Sequence, residues 1–274
     1  MGFFNRVIRN KNQNELSGRK RLERIIAITN QKGGVGKSTT AVNVSAYLSS
    51  YGYKTLLIDI DPQSNSTSGL GINPSDVKES IYDILIHERE PGEVILNTQY
   101  KNLNIIPSSI QLAGAEVELV SSLKREFRLK EAVNKIEKDY DFIIIDCPPA
   151  LGLLTINALT AAKEVIIPIQ CEYYALEGLG QLLNTIELVR KNLNDTLKIK
   201  GAIMTMYDPR IKLGGQVIEE VKNYFSEKVY KTIIPRNVRL SEAPSYGKPI
   251  MEYDPECKGA EAYSNFAKEV IENG

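Results

Sequence analysis

Lys32 and Lys37 bracket the glycine-rich stretch Gln31-Lys32-Gly33-Gly34-Val35-Gly36-Lys37-Ser38-Thr39-Thr40, and residues of these types at this spacing can hold a polyanion. Glycines at 33, 34 and 36 let successive backbone N–H groups turn inward with no Cβ in the way. Lys37 adds a point charge able to bridge β- and γ-phosphate oxygens, and the Ser38 hydroxyl is placed to ligate a magnesium ion (Mg2+) that keeps most of its waters. Thr39, one residue on, suits the α-phosphate. The common phosphate-loop pattern G-x-x-x-x-G-K-[ST] requires glycine at 31, so Gln31 breaks it and Lys32 is the novelty.

Two acidic segments complete the chemistry, Leu56-Leu57-Ile58-Asp59-Ile60-Asp61-Pro62-Gln63 and Phe142-Ile143-Ile144-Ile145-Asp146-Cys147-Pro148-Pro149. Each is an apolar run that ends in aspartate and passes into a proline-containing turn. Carboxylates at the carboxyl ends of parallel strands face the crevice where open α/β sheets bind ligands. Asp146 is placed to hold magnesium through water. Asp59 and Asp61, two apart, would share one face, so at least one should reach the γ-phosphate; Asp59 has the alternative task of supporting the loop.

The elements that must position these groups are legible from hydropathy. An apolar run, Arg24 to Thr29, enters the phosphate loop and a helix from Ser38 to about Ser50 leaves it, as such a loop requires. Further strand-like runs cover Lys54 to Ile60, Leu103 to Pro107, Asp141 to Cys147, Glu164 to Gln170, Ile199 to Tyr207 and Tyr230 to Pro235. Helical periodicity fills Ala113 to Lys138, Gly178 to Asn192, Gly215 to Phe225 and Glu261 to Glu272. The fold class expected is α/β, a doubly wound and mostly parallel sheet covered on both faces. A basic arm over residues 1–23, with Arg24 at its end, precedes one continuous domain over 24–274.

A chain of 274 residues with 42% hydrophobic content can bury one large core of this kind. Cysteines at 147, 171 and 257 show no C-x-x-C spacing, which suits a reducing compartment, and Cys147 reads as a buried thiol ending a core strand. The single His87 excludes a histidine metal site. No stretch approaches the ~18 apolar residues that span a bilayer. The start, Met1-Gly2-Phe3-Phe4-Asn5-Arg6, lacks a signal-peptide core and its Arg6 departs from the myristoylation pattern, so a cytoplasmic location is expected. Basic and acidic residues balance at 34 each, which leaves nucleic-acid binding to a local patch.

With these motifs in place, the chain resembles the ParA/Soj partitioning ATPases, P-loop NTPases with a deviant Walker A motif. The likeness runs from about Arg24 to the C-terminus. Beyond the phosphate loop it rests on Asp59-Ile60-Asp61-Pro62-Gln63-Ser64-Asn65-Ser66-Thr67-Ser68-Gly69-Leu70-Gly71, Asp146-Cys147-Pro148-Pro149, Glu172-Tyr173-Tyr174-Ala175-Leu176-Glu177-Gly178 and Pro235-Arg236-Asn237-Val238-Arg239-Leu240-Ser241-Glu242-Ala243-Pro244-Ser245. Departures are Ser38 where threonine is common, and Ser64 and Ser66 where glycine and alanine are common. The resemblance implies an ATP-dependent homodimer in which Lys32 crosses to the partner's phosphates, Asp61 positions the attacking water, and Ser38, Asp61 and Asp146 make up the magnesium site. It also implies that Pro235, Arg236 and Asn237 contact adenine. The ATP dimer would bind DNA without sequence preference, on the nucleoid, and a ParB-type centromere-binding protein would stimulate hydrolysis. Arg210, Lys212, Arg239 and Lys248 are the candidate DNA contacts, with the Arg210 guanidinium free to reach phosphate from a turn after Asp208-Pro209.

Two other readings share the loop. A MinD-like membrane-associated ATPase needs a basic amphipathic helix, normally C-terminal, whereas Ala260 to Glu272 carries three glutamates and one lysine. Phe3-Phe4-Asn5-Arg6-Val7-Ile8-Arg9 is the better candidate anchor. An iron–sulfur carrier of the nitrogenase iron-protein type needs a bridging cysteine pair, for which no suitably placed pair is found.

Overall fold

Arg24–Ile28 forms strand β1, buried along its whole length as an unbroken apolar run in a doubly covered sheet must be. The computed structural model describes residues 22–172, 178–226 and 228–273, without the side chains of 212 and 213. The basic arm, the N-terminal candidate anchor and the middle of the Glu172–Gly178 segment lie outside the described residues. The remaining strands are β2 (Thr55–Asp59), β3 (Leu96–Asn97), β4 (Leu103–Ile106), β5 (Phe142–Asp146), β6 (Glu164–Gln170), β7 (Lys198–Tyr207) and β8 (Val229–Pro235). They form one eight-stranded sheet in the order β3-β4-β2-β5-β1-β6-β7-β8, so β1 lies between β5 and β6. Neighbours run parallel except the edge pair β3–β4.

Register aligns the chemistry. Ile28 lies opposite Asp146 on one side of β5, and Asp59 opposite Asp146 on the other. The exits of β1, β2 and β5 therefore meet at one edge.

Helices cover both faces, and strand side chains alternate between them as the pleat dictates. Ile26, Ile28, Leu57, Phe142 and Ile144 face one core with helices α1 (Lys37–Ser50) and, at the far end of the chain, Lys258–Glu272. Ile25, Ala27, Leu56, Ile58 and Ile143 face the other. The chain from β2 onward adds α2 (Asn65–Gly69), α3 (Ile81–His87), α4 (Pro91–Val94), α5 (Leu112–Glu118), α6 (Arg128–Ile136) and α7 (Leu153–Ala161). After β6 come α8 (Leu179–Asn192), α9 (Lys212–Phe225), α10 (Val238–Glu242), α11 (Ile250–Tyr253) and α12 (Lys258–Glu272). Tyr263, Phe266 and Val270 of α12 are buried, and its Tyr263 hydroxyl meets Thr40 Oγ1 of α1 at 3.1 Å. The apolar face of this last helix is thus consumed by the core. Among the described residues, no helix is long and apolar enough to cross a membrane.

Two expectations need correction. The helical pattern over Ala113 to Lys138 is two helices, α5 and α6, parted by a 3-10 turn at Leu119–Ser121 and by Lys124 at φ 52°. The apolar residues that extended the pattern past α5, Val120 and Leu123, are exposed, so periodicity without burial did not sustain a helix. Arg24 is no part of a solvated arm: it is buried, ion-paired to Glu164 and stacked 5.6 Å over the Phe142 ring.

Candidate nucleotide site

Between β1 and α1 the chain turns through Gly34 at φ 73° and Gly36 at φ 89°, left-handed conformations that glycine adopts without strain. Gly36 is the N-cap of α1 and offers no side chain, so the first-turn N–H groups of that helix remain available to an anion. A Cβ at Gly33 or Gly34 would meet nothing within 4 Å, so these two positions border open space. The loop is held from outside. Thr205 Oγ1 on β7 donates to Val35 O at 2.9 Å, and Asn30 ties Lys32 N (3.0 Å) to Pro168 O (2.7 Å).

A cavity of about 430 Å³ opens here, lined by Gly34, Lys37, Ser38, Thr39, Asp61 and Pro149 among others. Lys37 is buried, and its ammonium donates to Lys32 O at 3.2 Å. Burial lowers its pKa, while the charges of Asp146 and Asp61 oppose that shift. Lys32 takes a different direction: its ammonium is ion-paired with Glu172 beyond β6. Gln31 extends the same tether, donating from Nε2 to Gln181 Oε1 on α8 at 2.7 Å.

The three aspartates divide their tasks. Asp59 is fully buried and supports the loop: its carboxylate accepts from Asp61 N at 3.2 Å, Thr67 N at 2.8 Å and Thr67 Oγ1 at 2.7 Å. Asp61, just past the strand, lines the cavity instead. Asp146 is fully buried, accepts Ser66 Oγ at 2.7 Å through Oδ2, and leaves Oδ1 without a protein partner. Ser66 stands where alanine is common in the resembling family, so a departure noted in the sequence has become a structural contact. Burial raises the pKa of both Asp59 and Asp146, and mutual repulsion adds to it at Asp59. The Ser66 hydrogen bond and the nearby Ser38 hydroxyl oppose the shift at Asp146. The orphaned Oδ1 beside the Ser38 hydroxyl is where a hydrated divalent cation fits.

A second cavity of about 500 Å³ adjoins the first, sharing Gly36, Thr39, Met206 and Pro244 with it. Pro235, Arg236 and Asn237 line it, as do Thr205 and Tyr263. Arg236 N is anchored on Tyr207 O at 2.9 Å, and the Asn237 side chain accepts Arg239 N at 2.8 Å to cap α10. Sequence reasoning missed Thr205, Met206 and Tyr263. The available signal for the first two was the polar turn Asp208-Pro209 after the apolar β7 run, which marks another strand end at the crevice. Met206 also has φ 54°, a strained value for a non-glycine residue.

The candidate DNA contacts are less free than expected. The Arg210 guanidinium is bound by Asp208, with a 2.6 Å contact, and holds that carboxyl down at about 2. It is therefore exposed but not unpaired. Arg239 pairs with Glu242 and Asp254, and Lys248 pairs with Glu252 while lining the phosphate cavity. Lys212 opens α9, and its side chain lies outside the described residues. Cys147 is buried as expected, and burial pushes its thiol up out of the reactive range.

Comparison with known proteins agrees with this geometry. Residues 23–199 match the family model described as an AAA domain. The chain is 62% identical to the sporulation initiation inhibitor protein Soj of Bacillus subtilis over 92% of its own length and 99% of that protein's. It is 53% identical to the chromosome partitioning protein ParA of Myxococcus xanthus, over 90% of this chain and 88% of that one. Among solved structures it is similar to cobyrinic acid a,c-diamide synthase from Mycobacterium smegmatis with bound ADP and magnesium. That pair has a TM-score of 0.80 and 39% identity over 90% of this chain and 94% of the other. A deviant loop on a parallel sheet, with near full-length identity to Soj, leads to one conclusion: the chain belongs to the ParA/Soj family of chromosome-partitioning ATPases.

Proposed function

We propose that this chain hydrolyses ATP in a homodimer assembled on ATP, and that the dimer binds DNA without sequence preference to partition a chromosome or plasmid. A ParB-type centromere-binding protein stimulates hydrolysis and so releases it. The reading rests above all on the two loop lysines, with Lys37 buried at the phosphate cavity and Lys32 turned to Glu172. Lys32 lines neither cavity of its own chain, and on leaving Glu172 it would be able to reach a partner's.

In this reading the N–H groups of residues 33 to 39 and Lys37 bind the triphosphate, while Pro235, Arg236 and Asn237 border the adenine. Asp61 orients the attacking water, and Lys32 of each protomer neutralises charge on the other's nucleotide. Ser38 and Asp146, Asp146 through water, hold magnesium, which when bound offsets the negative charge that builds on the phosphates. Asp146 keeps its geometry through Ser66. Dimer and monomer are then two states of one interface biased by a γ-phosphate.

The test is Lys32→Ala. It should retain ATP binding yet remain monomeric with ATP in analytical ultracentrifugation, and it should lose ATP-dependent retardation of unrelated DNA duplexes. A normal ATP dimer from this variant refutes the reading.

A further inference from the structure

Asp61 sits in the loop between β2 and α2, and a loop carboxylate holds a water in line only if something fixes the loop to within about half an ångström. Four buried residues do so. Asp61 N donates to Asp59 Oδ1 (3.2 Å), and Asp59 Oδ2 accepts from Thr67 Oγ1 (2.7 Å). Thr67 Oγ1 in turn accepts Ser108 N (3.0 Å), and Ser108 Oγ returns to Asp61 O (2.7 Å). The contacts close a ring that joins the exits of β2 and β4. All four members are buried, with Asp61 the most exposed at 4%. A satisfied buried network of this kind is stiff, because opening any link strands a polar group out of water.

We propose that Ser108 is a positioning residue for ATP hydrolysis, acting through the backbone of Asp61. Ser108 is fully buried and lines neither cavity, so it is placed to act through Asp61 and not directly on a ligand. Its hydroxyl is one of two donors to Asp61 O, the other being Ser64 N at 2.9 Å. Ser64 lies in the same β2–α2 connection as Asp61, whereas Ser108 follows β4, whose Ile106 pairs with Ile58 of β2. Ser108 thus ties the Asp61 loop to the exit of β4, as Asp59 ties it to β2. Its neighbour Ser109 serves as the control: that hydroxyl meets Ser80 Oγ at 3.0 Å and no member of the ring.

The inference rests on Asp61 orienting the water, and the experiment separates the two. Steady-state ATP hydrolysis and equilibrium ATP binding are measured on the full chain for Ser108→Ala, Asp61→Ala, the double variant and Ser109→Ala. Ser108→Ala should lower kcat about tenfold with ATP affinity within about twofold of wild type, and the double variant should be no slower than Asp61→Ala alone. Ser109→Ala should stay within about twofold throughout. Wild-type kcat in Ser108→Ala, or losses that multiply in the double variant, overturn the proposal. Wild-type turnover in Asp61→Ala overturns the water-positioning reading itself and this inference with it. Should Ser108→Ala fail to fold, Thr67→Val opens the ring from the opposite side, and the same non-additivity with Asp61→Ala decides.

Discussion

On the function proposed above, the crevice has a phosphate half and a base half, and the two are built in opposite ways. The phosphate half is one contiguous loop plus two strand ends, braced by buried polar contacts such as Asp59–Thr67 and Asp146–Ser66. The base half gathers Thr205 and Met206 from β7, Asn237 and Pro244 from beyond β8, and Tyr263 from α12. Its lining is anchored on the neighbouring backbone, as at Arg236 N to Tyr207 O. Charge recognition needs groups whose positions are fixed relative to one another, which a short loop provides. Recognition of a flat apolar base needs only walls, and walls can come from anywhere in the chain.

The contrast is broken most directly at Lys37. Its ammonium carries the main point charge of the phosphate half, so Lys37→Ala should lower ATP affinity by about a hundredfold or more. Equilibrium binding of labelled ATP is the measurement, and near-normal affinity would mean that the base half dominates. Asn237→Ala probes that other half. It removes the cap of α10 and part of the cavity wall, so affinity for ATP and ADP should fall together by roughly three- to tenfold. A loss confined to ATP would show Asn237 sensing the γ-phosphate, and the division into halves would fail. The smallest effect on the crevice should come from Arg210→Glu or Arg239→Glu, since these arginines line neither cavity. Both should leave ATP affinity unchanged while weakening salt-sensitive DNA retardation a few-fold, since each must also leave an existing carboxylate partner. Wild-type affinity and salt slope in both would remove these arginines from the DNA surface.

How much could be read in advance followed the same division. The phosphate half was visible because glycine spacing, lysine and two strand-ending aspartates carry their chemistry in consecutive residues, and each strand expected around them is present. Residue types could not separate Asp59 from Asp61, because the distinction lies in who donates to whom: Thr67, eight residues on, claims Asp59. Tyr263 was invisible as a lining residue because on α12 it looks like any apolar core position. Short helices such as α2, α3 and α10 escaped too, being too brief for a 3.6-residue period to register. The arginine partners were hidden for a simpler reason. A charge run says nothing of which carboxylate faces it.

One feature of the sheet reaches beyond chemistry to synthesis. The first strand made, β1, lies at the centre, with Arg24 opposite Phe142 on β5 and Ile26 opposite Glu164 on β6. While the chain leaves the ribosome, the phosphate loop therefore exists without either flanking strand, whereas β2 can already pair with β4. At ~5–20 residues per second that interval lasts on the order of ten seconds. During it the apolar run Ile25 to Ile28 is exposed to chaperones and to other nascent chains, so the strand that leads into the phosphate loop is also a liability at birth.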